Sequence, residues 1–116
     1  MRTEPSDVAR IEVCVDTVDR EAILQWWLTA LDYLRVDEEG RDIVDPAGAG
    51  PAVWFQEVPE AKSVKNRLHL DVYVSAEEAV RRRDELVSLG GRWVDQGPDF
   101  WVLADPEGNE LCLCWD

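Results

Sequence analysis

Histidine occurs only once in the 116 residues, as His69, which excludes a two-histidine, one-carboxylate metal triad built within one chain. Bases are scarce: 12 lysines and arginines stand against 25 acids, for a net charge of -13. A surface of that sign repels phosphate backbones, so nucleic acid is not an expected partner. It attracts cationic ligands, and in its plainest role it keeps the protein in solution. No apolar run approaches the roughly 18 residues of a membrane span. The opening Met1-Arg2-Thr3-Glu4-Pro5-Ser6-Asp7 lacks the apolar stretch of a signal peptide. The expectation is a cytoplasmic protein with no membrane partner. Cysteines number three, Cys14, Cys112 and Cys114, and an odd count argues against a disulfide framework. Cys112 and Cys114 would lie about 6.6 Å apart on one strand, at the long limit for a bridge. Reduced thiols acting as small apolar residues are the better reading.

The length suits one domain covering residues 1–116, and 46% hydrophobic residues suffice for a core without disulfides. Ile11 to Asp16 alternates with period two, placing Ile11, Val13 and Val15 on one face and Glu12, Cys14 and Asp16 on the other. Asp19 is the expected N-cap of a helix whose apolar stripe is Ala22, Ile23, Trp26, Trp27, Ala30, Leu31 and Leu34. Short strands follow near 34–36, 41–44 and 53–58, with Glu39-Gly40 as a turn and 45–51 as a loop.

Residues 59–67 read as a linker, a small basic island holding Lys62 and Lys65. The pattern then repeats. Leu68, Leu70, Val72 and Val74 form an apolar strand face, while His69, Asp71 and Tyr73 form the polar one. Ser75 and Glu78 fit a capping box, with Ala76, Ala79, Val80, Leu86 and Val87 as the helical stripe and Gly90-Gly91 as the stop. Arg81-Arg82-Arg83 reads as a solvated face balanced by neighbouring acids. Strands at 92–94, 100–104 and 110–115 complete the unit, with Asp105-Pro106-Glu107-Gly108-Asn109 as the last turn.

A strand, a helix and three strands therefore occur twice, over residues 8–58 and 68–116. The fold class is α+β: two βαβββ modules forming a curved, cup-shaped mixed sheet with the helices outside. The polar strand faces would line the cup, where a ligand would bind.

Two segments carry a further signal: Lys65-Asn66-Arg67-Leu68-His69-Leu70-Asp71-Val72, and Leu103-Ala104-Asp105-Pro106-Glu107-Gly108-Asn109-Glu110-Leu111-Cys112. Together with Asp19 before Trp26-Trp27, and Trp54-Phe55-Gln56-Glu57-Val58-Pro59, they resemble the glyoxalase-like branch of the glyoxalase/bleomycin-resistance/dioxygenase, or vicinal oxygen chelate, superfamily. The resemblance runs from about Arg10 to Trp115. It implies metal-dependent lyases, isomerases, dioxygenases and thiol transferases, or metal-free proteins that sequester drugs, often as homodimers. Fold alone does not choose among these.

By that resemblance His69 and Glu110 match two metal-ligand positions, and the first-module position falls at Glu12, where many members carry histidine. Gln56 or Glu57 lies near a fourth. The enzyme reading places one divalent ion (Zn, Ni, Mn or Mg) on Glu12, His69 and Glu110, with the Glu110 carboxylate as catalytic group in a lyase or isomerase. A second metal reading assembles Cys14, Cys112, Cys114 and His69 around zinc. The reading preferred on the sequence has no metal. It is a small-molecule binder, for drug or metabolite sequestration, with Asp71, Tyr73, Trp54 and Trp101 lining the cup for a cationic or aromatic ligand.

Overall fold

The computed structural model describes residues 7–115. The expectations for the polar opening segment and for the outermost domain residues, 1–6 and 116, lie outside the described residues. The first module runs β1 (Glu12–Thr17), α1 (Arg20–Leu31), β2 (Leu34–Arg35), β3 (Asp42–Val44) and β4 (Ala52–Glu57). The second runs β5 (Leu70–Tyr73), α2 (Ala76–Ser88), β6 (Arg92–Gln96), β7 (Phe100–Ala104) and β8 (Glu110–Cys114). Each module makes a four-stranded mixed sheet, in the orders β1-β4-β3-β2 and β5-β8-β7-β6. In both, the first strand runs parallel to the last, and the remaining pairs are antiparallel. This is the twice-repeated βαβββ order that the alternating patterns predict. No helix among the described residues is long and apolar enough to cross a membrane.

Burial follows the strand periodicity. Val15, Val53 and Phe55 from the first sheet, and Leu103, Leu111 and Leu113 from the second, meet Ile23, Leu24, Trp26, Trp27 and Ala30 of α1 in one core. Two strand starts differ from the sequence reading. Ile11 and Leu68, assigned to apolar faces, are 72% and 87% exposed and precede their strands. Backbone pairing begins only at Glu12 and Leu70, so neither side chain is held against a helix. In α1 the buried stripe includes Leu24, while Ala22 faces solvent and Leu34 belongs to the exposed β2. In α2 the inward positions are Ala79, Arg82 and Leu86, and Val80 and Val87 are exposed.

Arg82 is the main departure from expectation. The arginine run is not wholly solvated, because Arg82 lies buried under the end of α1. Its guanidinium donates to the Thr29 and Ala30 carbonyls, each at 3.1 Å, and to Asp32 Oδ2 and Glu78 Oε1, each at 2.8 Å. The last carbonyls of a helix lack intrahelical donors, and α1 has no base of its own in its last turn. Arg82 supplies both the donors and the charge from the other module.

The opposite end of α1 is finished the same way. Asp19 is the N-cap residue, but its side chain makes no capping bond. Glu107, from the turn between β7 and β8, instead accepts from the Val18 and Asp19 amides at 2.8 and 3.0 Å and from the Thr17 hydroxyl at 2.7 Å. Asp105 in the same turn is wholly buried and accepts from the Trp27 indole N–H at 2.9 Å. It also takes the Glu107 and Asn109 amides at 2.8 and 2.9 Å and the Asn109 side-chain amide at 3.1 Å. Burial still raises its carboxyl above the usual range, against those donors. Close packing also dictates Gly91, where a Cβ would stand 2.8 Å from the Leu86 carbonyl and 2.9 Å from that of Ala104.

Removing the Glu107 carboxylate orphans the Val18 amide and the Thr17 hydroxyl and leaves the Asp19 amide only the Thr17 oxygen at 3.1 Å, so Glu107→Ala should cost about 2 kcal/mol in urea unfolding, whereas Asp19→Ala should cost only a few tenths. Equal losses in the two variants would show that Glu107 does not finish α1. The pH dependence carries a second expectation. Arg81 first, and then Arg82, hold the Glu78 carboxyl down from its ordinary value near 4.5 to about 2. A depressed carboxyl stabilises the fold above its unfolded pKa, and the contribution disappears as pH falls through the folded one. Glu78→Gln should therefore flatten the loss of stability between about pH 4.5 and about pH 2. An unchanged acid limb would refute the assignment.

Candidate functional site

The second sheet assembles a polar cluster by register. On the parallel strands β5 and β8, Asp71 pairs with Cys112 and Tyr73 with Cys114. His69 lies two residues before Asp71 and shares its face. The His69 Nδ1 atom stands 3.6 Å from the Cys112 sulfur and 3.2 Å from Asp71 Oδ1. Among the described residues, His69, Asp71 and Cys112 are the one group of three or more metal-ligating side chains whose donor atoms all lie within 4.8 Å of one another. Cys112 is buried, and burial first, then Asp71, pushes its thiol up to about 11. All three cysteines are thiols outside any disulfide.

Two cavities meet at His69. The larger, of about 640 Å³, opens between the outer strands β1 and β5; Val13, Val15, Leu70 and Trp27 form its apolar wall, and Glu12, Asp16, His69 and Glu110 supply its polar groups. The smaller, of about 380 Å³, lies over the second sheet and is lined by Tyr73, Asp99, Phe100, Cys112, Cys114 and Trp115 beside His69 and Asp71.

Glu12, His69 and Glu110 thus face one space, but their donor atoms do not form a convergent set among the described residues. Both carboxylates hold cations of the chain itself. Lys65 Nζ bonds Glu110 Oε1 at 2.7 Å, with the Glu110 side chain only 8% exposed, and Arg10 Nε bonds Glu12 Oε2 at 2.8 Å. As arranged, these three residues do not fit a divalent ion. The four-residue zinc set is not assembled either. The Cys14 thiol lies on the first sheet, 3.8 Å from Asp16 Oδ1 and 4.0 Å from Gln56 Oε1, and burial followed by Asp16 raises its pKa.

The aromatic residues divide. Tyr73 lines the smaller cavity, and Trp54 is half-buried on the polar face of the first sheet beside Cys14. Trp101 is not a cup residue. Strand alternation turns it to the α2 side with Leu103, where its ring meets that of Trp115 at 4.4 Å with the planes tilted by 55° and carries the Arg83 guanidinium at 4.6 Å. Asp71, expected in the pocket lining, lines the smaller cavity and also meets His69. Lys65, expected to be a linker residue, instead reaches Glu110, and nothing local in the sequence signals that reach.

Comparison with known proteins agrees with this architecture. The sequence profile described as a glyoxalase-like domain matches residues 12–114. No functionally curated protein matches the chain. A glyoxalase-related enzyme from Fulvimarina pelagi superposes with a TM-score of 0.70 at 19% identity, over 94% of this chain and 89% of its own. A glyoxalase/bleomycin resistance protein/dioxygenase family enzyme from Burkholderia phytofirmans gives 0.73 at 13% identity, over 90% and 95%. The fosfomycin resistance protein FosX from Listeria monocytogenes, a mutant complexed with Mn(II) and 1S,2S-dihydroxypropylphosphonic acid, gives 0.72 at 10% identity, over 92% and 90%. At such identities the structural likenesses establish the fold, and the match to the family profile over nearly all of the sequence establishes the kinship: the chain belongs to the glyoxalase-like domain family.

Proposed function

We propose that the protein is a cytoplasmic small-molecule binder that holds a flat, cationic or aromatic ligand in the cavity between β1 and β5, as in drug or metabolite sequestration. The observation that carries this reading is the state of that cavity's charges. It offers about 640 Å³ with an apolar wall, and its Glu110 and Glu12 carboxylates are already neutralised by Lys65 and Arg10. Asp16 remains as an acid on the wall, and the surrounding chain is strongly acidic. Such a site favours burial of an apolar body with a cation directed to the rim. The three thiols accord with a reducing compartment. A homodimer is part of the proposal, in which a second copy would cover the open side of this cavity beside the exposed Ile11 and Leu68.

A second reading, a metal-dependent lyase or isomerase, is favoured by one observation: Glu12, His69 and Glu110 line the same cavity. It requires Lys65 and Arg10 to release the two carboxylates. In that case the ion would supply Lewis acidity, and Glu110 would hold or move the proton.

The two readings separate in one titration. Chelator-treated protein should bind proflavine, a flat cationic dye, with quenching of Trp27 and its neighbours. Asp16→Asn and added salt should each weaken that binding several-fold. Dye binding seen only after Mn²⁺ or Ni²⁺ is added, and lost again in Glu110→Gln, would replace the binder with the enzyme. Lys65→Ala adds a control: it should raise Mn²⁺ affinity about tenfold or more if the ammonium occupies the place of an ion on Glu110.

A further inference from the structure

We propose that His69, Asp71 and Cys112 form a zinc site, independent of Glu12 and Glu110, with a fourth coordination position open to the smaller cavity. The distances fit tetrahedral zinc. Bonds of about 2.0–2.1 Å to nitrogen, about 2.3 Å to thiolate and about 2.0–2.2 Å to carboxylate oxygen imply nitrogen–sulfur edges of about 3.6 Å and nitrogen–oxygen edges of about 3.4 Å. The protein has 3.6 Å and 3.2 Å at those edges.

Backbone pairing holds two of the three ligands in place, and His69 stands one residue before β5 begins. Asp71 and Cys112 are register partners on adjacent parallel strands, and His69 precedes Asp71 by one full strand repeat. The arrangement does not suit a nucleophilic relay. A cysteine–histidine–aspartate relay needs thiol and carboxylate on opposite ring nitrogens, and here both lie against Nδ1. Convergence on one point is what an ion requires.

The donor chemistry selects the ion. One thiolate, one imidazole and one carboxylate suit zinc and disfavour magnesium or calcium, which take oxygen ligands. Binding releases the Cys112 proton to solvent, and the ion's charge offsets the burial and acidic surroundings that keep the thiol protonated otherwise. Access is provided by the exposure of His69 and Asp71, at 38% and 48% of their side chains. Three protein ligands beside a 380 Å³ cavity leave the fourth position for water or a small ligand, with Phe100, Tyr73 and Trp115 as aromatic wall.

The test is Co²⁺ titration of the chelator-treated full chain, followed by displacement with Zn²⁺. Wild type should develop a thiolate-to-cobalt charge-transfer band at one equivalent, and zinc should abolish it. Cys112→Ser should lose the band, and Asp71→Asn should weaken binding about tenfold or more. Cys14→Ser and Glu110→Gln should keep it. A wild type without the band, a band that survives Cys112→Ser, or one lost in Glu110→Gln would overturn the proposal. Zinc should also protect Cys112, and not Cys14, from alkylation of the unmutated protein as mapped by mass spectrometry. Equal labelling of Cys112 with and without zinc would count against the site even if Cys112→Ser failed to fold. Proflavine binding without metal is a separate readout, so the binder and the zinc site stand or fall independently.

Discussion

Helix α1 is terminated at both ends by the other module, and the geometry of the molecule depends on that. Glu107 brings a negative charge to its start, and Arg82 brings a positive charge and two donors to its last carbonyls. Both charges have the sign that the helix dipole favours. The buried Asp105–Trp27 bond lies between them and ties the same turn to the middle of the helix. The two sheets are therefore set relative to one another by polar contacts of defined length as well as by the shared apolar core.

Much of this architecture could be read from the residues, because period-two and helical patterns act locally. The repeat, the Ser75 cap of α2, which accepts from the Glu78 amide at 3.1 Å, and the inward Val13 and Val15 of β1 all follow from such patterns. The misreadings concern ends and long reach. Ile11 and Leu68 continue an alternation past the point where a partner strand exists. Arg82 sits within a charge run, where nothing local separates a residue that spans to another helix from one that faces water. Asp105-Pro106-Glu107-Gly108-Asn109 was legible as a turn, but its acids act on residues 78 to 90 positions away. The site shows the same division. That His69 and Asp71 share a face was visible, and their convergence with Cys112 depended on the β5–β8 register.

Charge organises the interior of the cup differently from its outside. The chain carries a large excess of acids, yet the Glu12 and Glu110 carboxylates each meet a base from the chain. Lys65 comes from the joining segment, and its long stem carries the ammonium to a carboxylate that is almost fully buried. A buried acid with its own counterion raises little field in the cavity. The field there comes mainly from Asp16 and from the acidic surface beyond the rim.

The dependence of α1 on Arg82 and Glu107 also bears on the chain during synthesis. The helix forms on the chain ahead of either residue, and at 12 residues it is too short to be stable in isolation. Its tryptophans, Trp26 and Trp27, then have neither the Asp105 acceptor nor the second sheet to cover them. The nascent first module is thus an apolar, adhesive intermediate that becomes a finished surface only when the last quarter of the chain arrives.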